Sequence, residues 1–302
     1  RRPTSAAWIP NKKGTAPGLK VTRNNCLVIC LPGPPVEMIA MYEDVQEILS
    51  ESLMCGEPIY STEIHSWGMA ESNAGEAIKE YIQDEGACVS VLMSDNGITA
   101  KVSSSNKKHL QQVVEDIQSR WSPWVYGLDG TSLTSTVSIL LIEKGYSIAT
   151  AESCTGGLLS DAFVHEAGSS EWFVGGFVTY ANELKRSQLG VTITMIEECG
   201  AVSIEVAGAM SEGVCKTTDA VVGLSTTGIA GPTGGTQEKP VGTVYIACTL
   251  SGETFVNHFC FSGTRTQIRK RSVQSVLQML RLKLLELDDQ AMCWQLGESL
   301  TC

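Results

Sequence analysis

Short, unbroken apolar runs alternate along this chain with longer stretches in which apolar residues recur every three or four positions. Residues 26–31, 88–93, 146–151, 220–225 and 241–250 are runs of strand length, most of them closed by small or turn-forming residues. Weaker strand signals cover 60–68, 98–102, 172–180 and 254–261. The helical rhythm predicts helices over 36–52, 70–83, 106–120, 133–144, 156–164, 183–189, 194–199, 204–217 and 267–287. Thr131 or Ser132 can cap the fourth of these.

Grouping these elements divides the chain. Segment 1–57 holds one apolar run, expected as a strand buried on both faces, and one helix with Val36, Ile39, Met41, Val45, Ile48 and Leu49 on one side. So few elements cannot bury a core alone, so the segment is expected to be the truncated end of an α/β domain. The chain starts at Arg1, and is expected to begin inside a longer product. Segment 58–128 reads β-α-β-β-α, with Asn96-Gly97 as a type I′ hairpin signal. That order is similar to KH-type modules, but no GxxG loop with basic flanks is present, so a packing role is expected. The Gly/Asp stretch 127–130 is the clearest boundary. Segment 131–287 alternates strands and helices, which predicts a layered α/β domain with a mixed sheet. Residues 288–302 carry no strong signal and are expected to be a tail.

Composition narrows the function classes. The 302 residues are 43% hydrophobic and 18% charged, an ordinary globular balance for about two domains. A net charge of −11 disfavours general nucleic-acid binding, although Arg265, Arg269, Lys270 and Arg271 form a local basic patch. The 11 cysteines and four histidines are scattered, without CxxC or zinc-type spacing, so no structural metal is expected. Buried free thiols, with Cys26, Cys30, Cys88, Cys248 and Cys260 in apolar runs, suit a reducing, cytoplasmic setting. No run of about 18 apolar residues offers a membrane span, and no signal-peptide pattern follows Arg1, where a chain expected to begin inside a longer product would lack targeting information.

Candidate chemistry concentrates in segment 131–287. Two strands run into turns rich in hydroxyls and glycine: Glu152 to Gly157 and Ser225 to Gly231. Backbone amides there can hold a phosphate or an oxyanion, and Arg265 in a third turn can pair with phosphate. His165 and His258 do not sit beside a turn hydroxyl, and G-x-S-x-G is absent, so a histidine-based triad has no support. Lysine is the other base for serine. Lys185 follows Tyr180, and Ser169 and Ser170 precede the same strand. On pattern alone Lys185 also fits a solvated helix face, and Cys154 at a helix start is a rival nucleophile.

At these residues the sequence resembles the CinA family over essentially its whole length. The motifs are AESCTGG (151–157), AGSSEWFVGGFVTYANELK (167–185), GAVS (200–203), TGIAGPTGG (227–235), EKPVGTVY (238–245) and FSGTR (261–265). Residues 131–287 resemble the family's C-terminal domain, a PncC-type nicotinamide-nucleotide amidase. GTAPGL (14–19) and LPGPPVEM (31–38) resemble the end of its molybdopterin-binding-like N-terminal domain, which is linked to ADP-ribose pyrophosphatase activity. Segment 58–128 is similar to its KH-like middle module. The front of the N-terminal domain is absent here, which counts against pyrophosphatase activity by this chain.

The resemblance implies hydrolysis of nicotinamide mononucleotide to nicotinate mononucleotide and ammonia, with neither metal nor cofactor. It implies Ser170 as nucleophile, Lys185 as its base and Tyr180 as an aid to proton transfer. Ser153, Thr155, Gly156, Thr227 and Gly228 match pocket positions, and Arg265 a phosphate contact. Ser153 stands as the second candidate for the nucleophile. The implied partner is a small nucleotide, with neither nucleic acid nor membrane, and a homo-oligomer is consistent with the family. A non-catalytic, nucleotide-binding regulatory protein is the alternative.

Overall fold

The structure, a computed structural model, describes residues 5–24, 26–52, 58–83, 86–287 and 291–301. The chain divides into two compact units, Arg1–Pro58 and Ile59–Cys302. The boundary expected after residue 57 falls beside 53–57, outside the described residues.

The first unit is an antiparallel sheet of β1 (Ala7–Ile9), β2 (Gly18–Arg23) and β3 (Cys26–Cys30) with the helix α1 (Pro35–Ser52). The strand expected to be buried on both faces is β3. It instead alternates exposed and half-buried residues at one edge of the sheet. Its apolar run supplies one packed face only, since Ile29 joins Ile9, Met41 and Val45 in a small core. The helix packs through Met41, Val45, Ile48 and Leu49, the i, i+4, i+7, i+8 stripe. Val36 and Ile39 lie off that stripe and are exposed.

In the second unit, β4 (Tyr60–Ser66), β5 (Cys88–Ser94), β6 (Gly97–Ser104) and β7 (Val125–Leu128) form an antiparallel sheet in the order β5-β6-β4-β7. Helices α2 (Glu71–Ile78) and α3 (Lys107–Arg120) pack on it around Ile64, Ile78, Ala100, Ile117 and Trp121. The 70–83 helix expected from the pattern splits, with a 3₁₀ turn over Lys79–Gln83. The β5–β6 turn is Asp95–Asn96, and only Gly97 has positive φ there (112°), so the type I′ expectation fails. Strand β7 was not foreseen; it draws the boundary segment 127–128 into the sheet.

The rest of the unit is three-layered. Six strands run in the order β13-β12-β11-β10-β8-β9: β8 (Ile148–Glu152), β9 (Phe173–Val178), β10 (Val222–Gly228), β11 (Thr243–Leu250), β12 (Glu253–Cys260) and β13 (Gln295–Thr301). The strands β10, β8 and β9 are mutually parallel and the other pairs antiparallel. Mixed sheets of this kind carry helices on both faces. On one face, α4 (Leu133–Lys144), α5 (Leu158–Val164) and α9 (Arg265–Leu284) enclose Val137, Leu159, Phe163, Leu224, Ile246 and Leu277. On the other, α6 (Asn182–Leu189), α7 (Ile193–Cys199) and α8 (Ile204–Thr218) pack over Ala149, Ala151, Leu189, Val206, Met210 and Val214. Ser132 caps α4 in a capping box.

Two expectations need correction. The tail 288–302 supplies the edge strand β13, paired antiparallel with β12; residues 288–290 and 302 lie outside the described ones. Among the cysteines, Cys154 and Cys248 are buried, but Cys26, Cys30 and Cys88 are exposed, because their strands are packed on one face. No helix among the described residues is long and apolar enough to cross a membrane.

Candidate active site

The parallel strands β9, β8 and β10 end side by side, and open sheets bind ligands at such carboxyl ends. From the end of β8 the chain enters the turn Ser153 to Gly157. Gly156 and Gly157 have φ of 59° and 96°, a left-handed pair that side chains with a Cβ disfavour. The turn is held from below by Glu152, fully buried, whose carboxylate accepts from the amides of Gly157 (2.9 Å), Leu159 (3.0 Å) and Ser160 (2.8 Å) and from Ser160 Oγ (2.6 Å). It is held from the side by Arg269, which donates to Thr155 O through Nε at 3.2 Å and also through its terminal nitrogen. It is held from behind by Ser153 N–H to Thr226 O at 2.9 Å and by the Thr155–Thr226 hydroxyl pair at 2.6 Å.

Helix α6 brings Lys185 to this turn. Only Lys185 and Leu189 of α6 are buried, one turn apart. Lys185 is 2% exposed, so the solvated-face reading does not hold. Its Nζ donates to Ser153 Oγ at 3.2 Å, Thr179 O at 2.9 Å and Tyr180 O at 3.4 Å. Burial pushes the Lys185 ammonium below the ordinary lysine range, because desolvation disfavours the charged form. Among the described residues no carboxylate bonds to it. Ser153 is 8% exposed. A serine hydroxyl within reach of a buried lysine is an arrangement that can serve a Ser–Lys nucleophile.

The other expected residues divide between the site and its frame. Tyr180 contributes its carbonyl to Lys185, while its exposed phenol meets Arg265 at 3.4 Å and bonds neither member of the pair. Arg265 also donates to Gly231 O at 2.8 Å, so it spans the ends of β9 and β10 with its guanidinium in reach of solvent. Thr227 spends its hydroxyl on Ala201 O at 2.7 Å, and Thr155 on Thr226, so both are internal ties of the walls. Gly228 ends β10 in register with Val244. Gly156 leaves its amide, like that of Thr155, without an acceptor among the described residues.

Ser170 is elsewhere. It lies exposed in the 3₁₀ turn Ser169–Glu171 that precedes β9, whereas Lys185 follows that strand's far end. Six residues of strand separate the two by roughly 20 Å at about 3.3 Å per residue. The structure brings Lys185 to Ser153 and away from Ser170. Cys154 fails as a nucleophile for another reason: burial pushes its thiol up to about 12, so it stays protonated at neutral pH. Glu152, Thr226 and Arg269 were not singled out as site residues. A carboxylate closing an apolar strand is the signal that could have found Glu152, since a buried charge needs partners.

The CinA C-terminal domain family model matches residues 130–284, which contain every group just described. The chain is a member of the CinA family. A CinA-like protein of Dictyoglomus turgidum (strain DSM 6724 / Z-1310) is 40% identical over 286 residues, covering 92% of this chain and 69% of that one. Among solved structures, the competence damage-inducible protein A (ComA) of Klebsiella pneumoniae subsp. pneumoniae MGH 78578 is 34% identical with a TM-score of 0.50, over 52% of this chain and 97% of that one. A competence-damaged protein (CinA) superfamily protein from Enterobacter cloacae has the same TM-score at 32% identity, over 52% and 95%. CinA membership and the Ser153–Lys185 contact thus fall in one domain of this chain.

Proposed function

We propose that this CinA-family chain is an amidohydrolase that cleaves the carboxamide of a nicotinamide nucleotide, with Ser153 as nucleophile and Lys185 as base. The observation that carries the reading is the 3.2 Å approach of Lys185 Nζ to Ser153 Oγ, both side chains being buried. The neutral lysine takes the Ser153 proton as Oγ attacks the carboxamide carbon. The oxygen of the tetrahedral intermediate is received by the unbonded amides of Thr155 and Gly156, an oxyanion hole made of backbone. Collapse breaks the C–N bond, and the Lys185 ammonium returns its proton to the departing ammonia. Water then attacks the acyl ester, with Lys185 again as base, releasing the carboxylic acid and restoring Ser153.

Arg265 supports a phosphate-bearing substrate. Its guanidinium stands at the rim, its two present partners are neutral oxygens, and it offers a fork that fits phosphate. The decisive experiment follows ammonia release from nicotinamide mononucleotide by the wild type and by Ser153→Ala, Lys185→Ala and Ser170→Ala, with EDTA present. Turnover in the wild type and Ser170→Ala alone supports the reading. Absence of turnover in folded wild type removes the amidase, and loss in Ser170→Ala returns the nucleophile to that turn.

A further inference from the structure

The turn after β8 was expected to receive an anion from outside, because its amides open a helix. The geometry closes that route for the amides that open the helix and leaves it to the turn before them. The amides of Gly157, Leu159 and Ser160 already surround an anion, the carboxylate of Glu152, which is fully buried. Four donors converge on it and no acceptor does, counting the Ser160 hydroxyl. An ionised carboxylate has about four acceptor sites and no donor, so it satisfies all of them. Glu152 thereby claims three amides of the turn and its helix, while those of Cys154, Thr155 and Gly156, beside Ser153, keep no oxygen acceptor among the described residues.

The same residue reaches the other half of the pair. Its carbonyl accepts from Thr179 N–H at 2.8 Å, and the carbonyl of Thr179 is the nearest acceptor of Lys185 Nζ. One residue thus ties the strand end that carries Ser153 to the strand end that seats Lys185. We propose that Glu152 is the positioning residue of the Ser153–Lys185 pair, fixing the serine, the oxyanion amides and the lysine's seat in one frame. Glu152 touches no substrate and acts through these groups. A glutamine at this position keeps the volume but replaces two acceptor sites with an NH₂ that faces N–H donors. The turn must then shift, and misplacement of a catalytic group by about 1 Å costs on the order of 100-fold in rate.

The inference rests on the Ser–Lys reading of the site, so its test uses a reaction that needs the pair but not the nucleotide. A fluorophosphonate is attacked by Ser153 Oγ; the O–P bond forms, the P–F bond breaks, fluoride leaves and the serine proton passes to Lys185. The labelling rate constant and the final extent of labelling are measured on the full chain for wild type, Glu152→Gln and Ser160→Ala, beside turnover of nicotinamide mononucleotide. We expect Glu152→Gln to label on the order of 100-fold more slowly and Ser160→Ala several-fold more slowly. Both should reach the wild-type extent, with the pH midpoint of labelling unchanged. A residue that only supported folding would lower the extent and leave the rate constant alone. A wild-type rate constant in Glu152→Gln overturns the proposal; if that variant does not fold, a wild-type rate constant in Ser160→Ala does so. Labelling of wild-type Ser153 without nucleotide turnover leaves the proposal standing and removes the substrate assignment. Failure to label wild-type Ser153 removes the Ser–Lys pair and the proposal together.

Discussion

Lys185 Nζ lies 3.2 Å from Ser153 Oγ across 32 residues of sequence, because parallel strands β8 and β9 end next to each other. Ser153→Ala should therefore lower turnover on the order of 10⁴-fold while leaving nucleotide binding intact, as for other serine nucleophiles. Ser170→Ala, an exposed change, should leave turnover within about twofold. Steady-state kinetics with a binding isotherm for each variant checks both.

The resemblance pointed to Ser170, whereas the fold brings Lys185 to Ser153, for a physical reason. Ser170 is nearer to Lys185 in sequence, but a whole strand lies between them, and a strand holds its two ends apart. The layered fold, the helix start at Ser132 and the strand-end turns were legible, since periodicity and capping residues are local signals. The burial of Lys185 was not. Helix α6 is mostly polar; it packs closely against α8, with Lys185 and Leu189 as its buried residues. Likewise β13 is strand because β12 offers it an edge, which no local pattern in 288–302 announces.

That close approach gives a second prediction. A Cβ on Gly213 of α8 would sit 2.1 Å from Leu189 O at the end of α6. Gly213→Ala must push α6 outward and carry Lys185 with it. We expect a loss of about 1–3 kcal/mol in stability from overpacking. Turnover per folded molecule should fall on the order of 10- to 100-fold. Urea melts and kinetics on the folded fraction test the two halves separately.

The lysine gives a pH dependence with a definite sign. Burial lowers the Lys185 pKa in the folded state, so the unfolded chain holds more protons between that value and the ordinary one, about 10.4. The contribution of this group to stability therefore rises with pH through that window. Lys185→Met should melt at or above the wild-type temperature near neutral pH, with the difference shrinking toward pH 10 or so, and should be inactive. Wild-type turnover should rise with pH along a limb below the ordinary lysine range. Melting curves and pH–rate profiles on both proteins decide it.

Cys154 is next to Ser153, its thiol pushed up to about 12 by burial. Iodoacetamide at mildly alkaline pH should modify the exposed Cys26, Cys30 and Cys88 and leave Cys154 untouched, with turnover retained. Peptide mapping by mass spectrometry, set against residual activity, checks this. Alkylation of Cys154 in the folded protein would contradict it.

Arg265 should discriminate by phosphate. In Arg265→Ala the KM for nicotinamide mononucleotide should rise on the order of 10- to 100-fold with kcat nearly unchanged, the mark of a group that binds ground and transition states alike. The dephosphorylated nucleoside should be a poor substrate for both proteins, so the variant loses the preference. Parallel kinetics with the two compounds measure the ratio.

Helix α9 starts at Arg265 and farther along is gripped by the four-stranded module: Lys270 donates to Asp95 at 2.8 Å, Trp67 Nε1–H donates to Ser275 Oγ at 3.2 Å, and Arg281 donates to Pro123 O at 2.9 Å. A twenty-residue helix of about 30 Å is a stiff rod, so a ligand at one end and the module along its length load the same body. Linkage through such a body is reciprocal: whatever factor the docked module adds to the affinity of a ligand at Arg265, that ligand adds to the module's hold on α9.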